Sequence, residues 1–306
     1  MRHVFVINPR AGRGNGAARV LEMADRLSCR GLSCTCVVTE RPGGAEEAAR
    51  RLIGEGEPLR LYACGGDGTL HEVVQAAAGM PHAAVTAIPL GTGNDFLKNF
   101  GPDAQRFTDA EALWDGDEHL LDLIDCNGRL CLTIACTGAD ARVADTVDRF
   151  RHLPAGGRAS YLCAVAAVLS RPLPRRWTVS MDGAEETGDF TLVSVCNARH
   201  YGGGSTPVPE ARVDDGILHA VVVRGVDRAA FVRLFPAYSA GRWRDLPPDL
   251  IRVVTPKEVR IRADVPFVTC LDGECFRWRE ARLRLSDKKL RFFAPRGADP
   301  NATARK

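Results

Sequence analysis

The sequence of 306 residues has no block of like charge long enough to make a nucleic-acid arm, and 41 basic against 38 acidic residues leave a net charge of only +3. Such balance offers no electrostatic reason to expect nucleic acid as a partner. No stretch reads as a membrane span. Val73–Asn94 contains no Lys, Arg, Asp or Glu, but Gly79, Pro81, Pro89 and later polar positions break it up. The apolar run ASYLCAVAAVLS, Ala159–Ser170, is far shorter than the roughly 20 residues a crossing helix needs. The opening MRHVFVINPR lacks the apolar core and small-residue cleavage site of a signal peptide, and reads as a strand. The 11 cysteines are odd in number and scattered. Cys64, Cys131, Cys136, Cys163 and Cys196 lie in apolar runs, where Cys serves as a small hydrophobe. Cys29, Cys34 and Cys36 crowd together, but no second Cys or His pair follows at zinc-finger spacing. Reduced thiols in a cytoplasmic protein are the simple expectation.

What is present is a globular composition, 45% hydrophobic and 26% charged, with enough apolar side chains for two cores. The first part alternates strand-like and helix-like segments: HVFVIN, GAARVLEMADRLSCRG, CTCVVTE, AEEAARRLIGEG, LRLYACG, TLHEVVQAAAG and AAVTAIPLG. That alternation implies a parallel sheet covered by helices. After about Asp125 the pattern changes to short β-rich runs, with period-two alternation in VRIRAD and ARLRLS, which reads as an antiparallel sandwich or barrel. The expected fold class is therefore α/β plus β: a parallel-sheet α/β domain over residues 1–125 and a β-rich domain over 126–306. Packing of the C-terminal segment back onto the first domain is left open. No internal repeat is found.

Each glycine-rich turn of the first part follows a strand: NPRAGRGNG, TERPGG, CGGDGT and PLGTGND. In parallel α/β sheets ligands bind at the carboxyl ends of strands. Four such turns would make a rim of backbone N–H groups at helix starts, suited to phosphate. CGGDGT, Cys64–Thr69, places a carboxylate inside one of them. Taken alone, that is a turn with a helix-capping Asp. No G-x-x-x-x-G-K-[ST] occurs in the chain, nor G-x-G-x-x-G after the first strand.

Four short motifs occur in a fixed order: NP-x-x-G at Asn8–Gly12, GGDGT at Gly65–Thr69, PLGTGNDF at Pro89–Phe96, and LDGE at Leu271–Glu274. Together they resemble the diacylglycerol kinase catalytic-domain family, which includes sphingosine and ceramide kinases and bacterial lipid kinases. The likeness covers nearly the whole chain and implies a β-sandwich for the second domain. It also implies an ATP-dependent lipid kinase using Mg²⁺. Phosphoryl transfer is mostly positioning and charge neutralisation. Gly65, Gly66 and Gly68 allow close backbone approach to a triphosphate, and Thr69 adds a hydroxyl. Asp67 and Asp95 are hard oxygen ligands for Mg²⁺, and Thr92 and Asn94 can bond phosphate. Asn8, Arg10 and Thr39 belong to neighbouring turns, with nucleotide contact implied for Thr39. Asp95 also reads as a helix cap, and Arg10 as a solvated loop charge.

Asp272 matches the family's general base, which takes the proton of the attacking lipid hydroxyl, with Glu274 supporting it. Without the resemblance, DG is a hairpin turn signal. In ARVDDGIL the resemblance implies a structural Mg²⁺ held by the Asp215 side chain and the carbonyls of Arg212 and Ile217; a solvated turn is the other reading. His71 and Thr133 stand where the family often has Asn, and neither is expected to touch the four core motifs. The apolar segment Ala159–Leu169 is flanked by Arg142, Arg149, Arg151 and Arg158 before it and Arg171, Arg175 and Arg176 after it, suiting either peripheral contact with an anionic membrane or an ordinary core helix. The expected partners are a lipid substrate at a membrane surface and a second copy in a homodimer, without nucleic acid. A soluble-substrate kinase of the NAD kinase type and a non-catalytic nucleotide- or lipid-binding regulator are the alternatives; against the former, no Gly/Thr/Ser-rich substrate motif is found.

Overall fold

The computed structural model describes residues 1–91, 93–147, 150 and 157–302. The chain divides into two compact units, Met1–Leu123 with Asp287–Lys306, and Ile124–Ser286. The second unit thus stops at Ser286 rather than running to 306, and the C-terminal segment belongs to the first unit, the arrangement the sequence left open. The apolar strand Leu290–Ala294 pairs with strands of the first sheet instead.

The first unit is built from β1 (Arg2–Ile7), α1 (Gly16–Cys29), β2 (Thr35–Val38), α2 (Gly44–Gly54), β3 (Leu59–Gly65), α3 (Asp67–Ala77), β4 (Ala83–Pro89), α4 (Ala110–Trp114) and β5 (Asp117–Leu121). The sheet order is β2-β1-β3-β4, then Leu290–Ala294, then β5. All neighbours run parallel except the last pair, in which β5 is antiparallel. In the central strands β1, β3 and β4 almost every residue is buried, as befits a parallel sheet covered on both faces. Aromatic rings lock the layers: Phe5 stacks on Tyr62 at 4.4 Å, and Tyr62 meets Phe293 edge-on at 5.0 Å. The chain leaves β1 toward β2 on one side and returns to β3 on the other. The strand order therefore reverses between β1 and β3, opening a crevice at their carboxyl ends.

The second unit contains β6 (Ile124–Cys126), β7 (Arg129–Cys131), β8 (Ile134–Gly138), α5 (Ala139–Val147), α6 (Gly157–Leu169), β9 (Arg175–Met181), β10 (Ala184–Cys196), β11 (His219–Arg224), α7 (Arg228–Ser239), β12 (Ile251–Val254), β13 (Glu258–Leu271) and β14 (Glu274–Leu285). Its nine strands form one antiparallel sheet in the order β12-β11-β10-β8-β13-β14-β6-β7. The ninth, β9, pairs with the first half of β10 and also with the first half of β13. Those long strands touch β8 with their second halves, so the sheet folds over on itself. Trp177, Phe190 and Phe267 fill the space enclosed, joined by aliphatic side chains from both layers.

Candidate active site

The β1–β3 crevice gathers most of the residues expected to hold nucleotide. Asn8, just past β1, donates its backbone N–H to the Cys64 carbonyl at 3.0 Å and its side-chain amide to the Thr69 hydroxyl at 3.2 Å. Its own side-chain oxygen accepts the Arg10 N–H at 3.0 Å. Arg10 is exposed. Gly65 must lack a side chain: a Cβ there would lie 2.1 Å from the Thr69 hydroxyl oxygen and 2.5 Å from its Cβ. The Gly65 carbonyl accepts the N–H groups of Leu90 and Gly91 at 2.8 and 3.1 Å. That draws the third and fourth turns together until a Cβ on Gly91 would stand 2.8 Å from the Gly66 Cα.

Asp67 opens α3, with Gly66 at the cap and Gly68 and Thr69 completing the first turn. The first amides of a helix have no intrahelical acceptor, which is where phosphate binds best. The Asp67 carboxylate accepts the Phe96 N–H at 3.5 Å, and its other oxygen stands 3.0 Å from where a Gly93 Cβ would be. The carboxylate thus lies between the GGDGT turn and the segment 93–96. Asp95 forms an ion pair with Lys98. Asn94 takes a left-handed φ of +49° and spends an amide hydrogen on the Gly91 carbonyl at 2.7 Å, closing its own turn. Thr92 lies outside the described residues.

The TERPGG turn differs from expectation. The N–H groups of Gly43 and Ala45, at the start of α2, both donate to the carboxylate of Glu72 at 2.9 Å. A carboxylate at a helix N-terminus is the favourable arrangement, so these amides are already satisfied and leave the phosphate-binding rim. Thr39 is buried, and its hydroxyl donates to the Ile7 carbonyl at 3.2 Å. Glu72 escaped the sequence reading because its partners lie 27 and 29 residues away. Asp122 was passed over too: it is 1% exposed and ion-paired with Lys289.

In the second unit Asp272 and Gly273 form the two-residue turn between β13 and β14, with φ of +50° and +99°. Asp tolerates this left-handed region better than most side chains. The carboxylate reaches the segment after β7: it accepts Leu132 N–H at 2.6 Å, Thr133 N–H at 2.8 Å, Ile134 N–H at 3.4 Å, the Cys131 thiol at 3.2 Å and the Thr133 hydroxyl. Thr133 therefore does touch a core motif, contrary to expectation. Its position is 139 residues from Asp272 and only the fold brings them together. Glu274 is exposed at the start of β14.

A second polar group sits at the start of α5. The Tyr201 hydroxyl donates to Asp140, the Tyr238 hydroxyl reaches the same oxygen at 3.4 Å, and the two hydroxyls are 3.0 Å apart. Burial pushes the Asp140 carboxyl up from its ordinary value, opposed by the two tyrosine hydrogen bonds.

In the turn expected to hold a structural cation, Asp215 is exposed and one of its oxygens accepts the Ile217 N–H at 3.0 Å. The Arg212 guanidinium points to Asp214 at 3.6 Å. Among the described residues no group of three or more His, Cys, Asp or Glu could hold a metal. A cation in this turn would rest on the remaining Asp215 oxygen and on carbonyls. At the crevice the hard oxygens of Asp67 and Asp95 fit Mg²⁺, which keeps waters and takes further ligands from phosphates, although Asp95 already holds an ammonium.

The chain matches two family models: "Diacylglycerol kinase catalytic domain" over residues 2–126 and "YegS C-terminal NAD kinase beta sandwich-like domain" over residues 133–294. A diacylglycerol kinase of Mycobacterium tuberculosis is 33% identical over 264 residues, covering 83% of this chain and 82% of that one. A probable YegS-like lipid kinase of Pseudomonas aeruginosa is 29% identical over 304 residues, covering 93% and 92%. The crystal structure of a putative diacylglycerol kinase from Bacillus anthracis superposes with a TM-score of 0.75 at 21% identity, covering 96% of each chain. That last likeness concerns the fold, an α/β domain followed by an antiparallel β domain. With both family models matched in order along the chain and a relative of this identity, the protein is an enzyme of the diacylglycerol kinase family of lipid kinases.

Proposed function

We propose that the protein transfers the γ-phosphate of ATP to the primary hydroxyl of a lipid at a membrane surface, with diacylglycerol the first candidate. The observation that carries this reading is the Asp67 carboxylate held between two glycine turns at the β1–β3 crevice. Gly65, Gly66 and Gly91 let the two turns close on each other, and the helix start they frame at α3 receives the negative charge of the triphosphate. Thr69, positioned by Asn8, offers a hydroxyl at the same place. Mg²⁺, when bound, neutralises phosphate charge, with Asp67 and Asp95 as its protein ligands.

Asp272 then acts on the lipid. Its carboxylate takes the hydroxyl proton as the lipid oxygen forms its bond to the γ-phosphorus, while the bond to the bridging oxygen breaks and ADP leaves. The amides of Leu132 and Thr133 fix the carboxylate's orientation before substrate arrives. In keeping with the family, ATP is the expected donor.

The test is transfer of radiolabelled phosphate from ATP to a panel of diacylglycerol, a sphingoid base, ceramide, phosphatidylglycerol and a prenol in mixed micelles, with NAD as a soluble control. Labelled lipid, strongest with diacylglycerol, supports the proposal. Label in NAD alone would assign a soluble-substrate kinase.

A further inference from the structure

Asp272 draws its hydrogen bonds from the N–H side of residues 132–134, while the carbonyl side of the same residues is held by a different element. Strand β8 lies between β10 and β13. Its first residue, Ile134, stands opposite Cys196, the last residue of β10. Asn197 therefore comes level with Thr133, just ahead of β8. Asn197 is fully buried. Its backbone N–H donates to the Thr133 carbonyl at 2.8 Å, joined there by the Ala198 N–H at 3.1 Å. Its side-chain Nδ2 donates to the Leu132 carbonyl at 2.9 Å. A carbonyl oxygen only accepts, so the NH2 end of the Asn197 amide is the end that faces it.

The Leu132 carbonyl and the Thr133 N–H belong to one peptide unit, and in a trans peptide the two point in opposite directions. The oxygen accepts from Asn197, and the N–H donates to Asp272 at 2.8 Å. The next peptide unit repeats the arrangement. Its oxygen, on Thr133, accepts from the backbone of Asn197 and Ala198, and its N–H, on Ile134, reaches Asp272 at 3.4 Å. Two adjacent planar groups thus run from residues 197–198 to the Asp272 carboxylate. Hydrogen bonds in series polarise one another, so donation into the oxygen strengthens the N–H across the same peptide. Backbone holds the second unit whatever the side chain at 197. A side chain holds the first, and that part of the clamp depends on asparagine.

We propose that Asn197 is a positioning residue for phosphoryl transfer: it fixes the Leu132–Thr133 peptide so that the Thr133 N–H holds the Asp272 carboxylate in the orientation from which it takes the lipid proton. This deepens the reading of Asp272 as the base and rests on it. Without the Asn197 amide a buried carbonyl loses a donor, and the peptide gains by turning toward another. Such a turn takes the Thr133 N–H off Asp272. A reacting group misplaced by about 1 Å costs on the order of a hundredfold in rate.

The experiment compares the full chain as parent, Asn197→Ala, Asp272→Asn and the double variant. Phosphate transfer is measured in mixed micelles with the lipid of the panel above that takes most label, at temperatures well below each variant's melting. Asn197→Ala should lower kcat about ten- to hundredfold with KM for ATP unchanged, since nucleotide is assigned to the first unit. The double variant should fall within about twofold of Asp272→Asn, because a residue acting through Asp272 has nothing left to act on, whereas independent losses would multiply. A parental rate in Asn197→Ala, or multiplied losses in the double variant, overturns the proposal and leaves Asp272 as the base. A parental rate in Asp272→Asn removes the base, and this role with it. A second measurement needs neither lipid turnover nor a stable Asn197 variant. In NMR spectra of the labelled chain, Asp272→Asn should move the Asn197 side-chain amide resonances through the shared peptide. Resonances that stay in place overturn the proposal.

Discussion

Replacing Asp272 by Asn tests two consequences of one geometry. The amide is nearly isosteric, but it keeps a single acceptor. With its oxygen turned to the Thr133 N–H and hydroxyl, its NH2 group faces the Leu132 N–H, now 2.6 Å from a carboxylate oxygen. Two donors then oppose each other, and the Leu132 amide loses its acceptor. An unpaired amide costs about 1–3 kcal/mol, and losing the charge on the remaining bonds costs about 1 kcal/mol more. The expected destabilisation is about 2–4 kcal/mol, or roughly 5–15 °C in melting temperature for a unit of this size. The chemical consequence is separate. Loss of a general base lowers turnover by about 10²–10⁴-fold. Turnover should therefore be measured at saturating ATP, well below the variant's melting temperature, beside nucleotide affinity from calorimetry. Affinity should be nearly unchanged, since nucleotide is assigned to the first unit. A variant that melts with the parent refutes the hydrogen-bonded arrangement around Asp272. One that melts early yet turns over normally refutes the base, and Glu274→Gln becomes the next variant to make.

Three further outcomes are expected. Gly65→Ala would drive a methyl group to 2.5 Å from the Thr69 Cβ, which no rotamer change relieves; it should cost about 1–3 kcal/mol and weaken ATP binding, and Gly65→Ala/Thr69→Gly should regain stability in a double-mutant cycle. His3, stacked on Trp114 and bonded to Tyr62, is lowered from 6.5 to about 4, chiefly by burial and then by the Arg60 charge. The unfolded chain therefore takes up this proton first on acidification: the contribution is complete above pH 6.5 and disappears by about pH 4, amounting to about 3 kcal/mol, and His3→Gln should flatten the pH dependence of melting in that window. If the 211–218 turn holds a structural cation, chelation and Asp215→Ala should each lower the melting temperature without nucleotide; a melting curve indifferent to both assigns a solvated turn capped by the Ile217 N–H.

The architecture was legible because its signals are local. Buried parallel strands write themselves as short apolar runs, and the turns after β1, β3 and β4 use glycine where backbones meet, as at Gly65 and Gly91. The change to period two after Asp125 marked the second unit's antiparallel sheet for a similar reason. The contacts that shape the candidate site were less legible. Glu72 serves a neighbouring helix, Thr133 serves Asp272 across 139 residues, and Asp140 meets Tyr201 and Tyr238 from three separate elements. None of these follows a period, and each depends on which strands become neighbours. The return of the C-terminal segment to the first unit was left open rather than assigned, since LRFFA reads equally well as a further strand of the β-rich part.

That strand has a consequence for how the protein comes into being. It lies between β4 and β5, pairing through Phe292 with Val85 and along its whole length with 117–121. Phe292 and Phe293 also supply rings to the aromatic core of the first unit. During synthesis the N-terminal unit emerges first yet lacks its fifth strand until the whole intervening unit has left the ribosome. The intervening unit is continuous in sequence and can close earlier. Until then the edge of β4 stands open, an invitation to pair with another nascent chain. Translation arrested before Leu290 should therefore yield a folded second unit tethered to an aggregation-prone first one, and a C-terminal deletion would be felt at the far end of the sequence, in the sheet that carries the glycine turns.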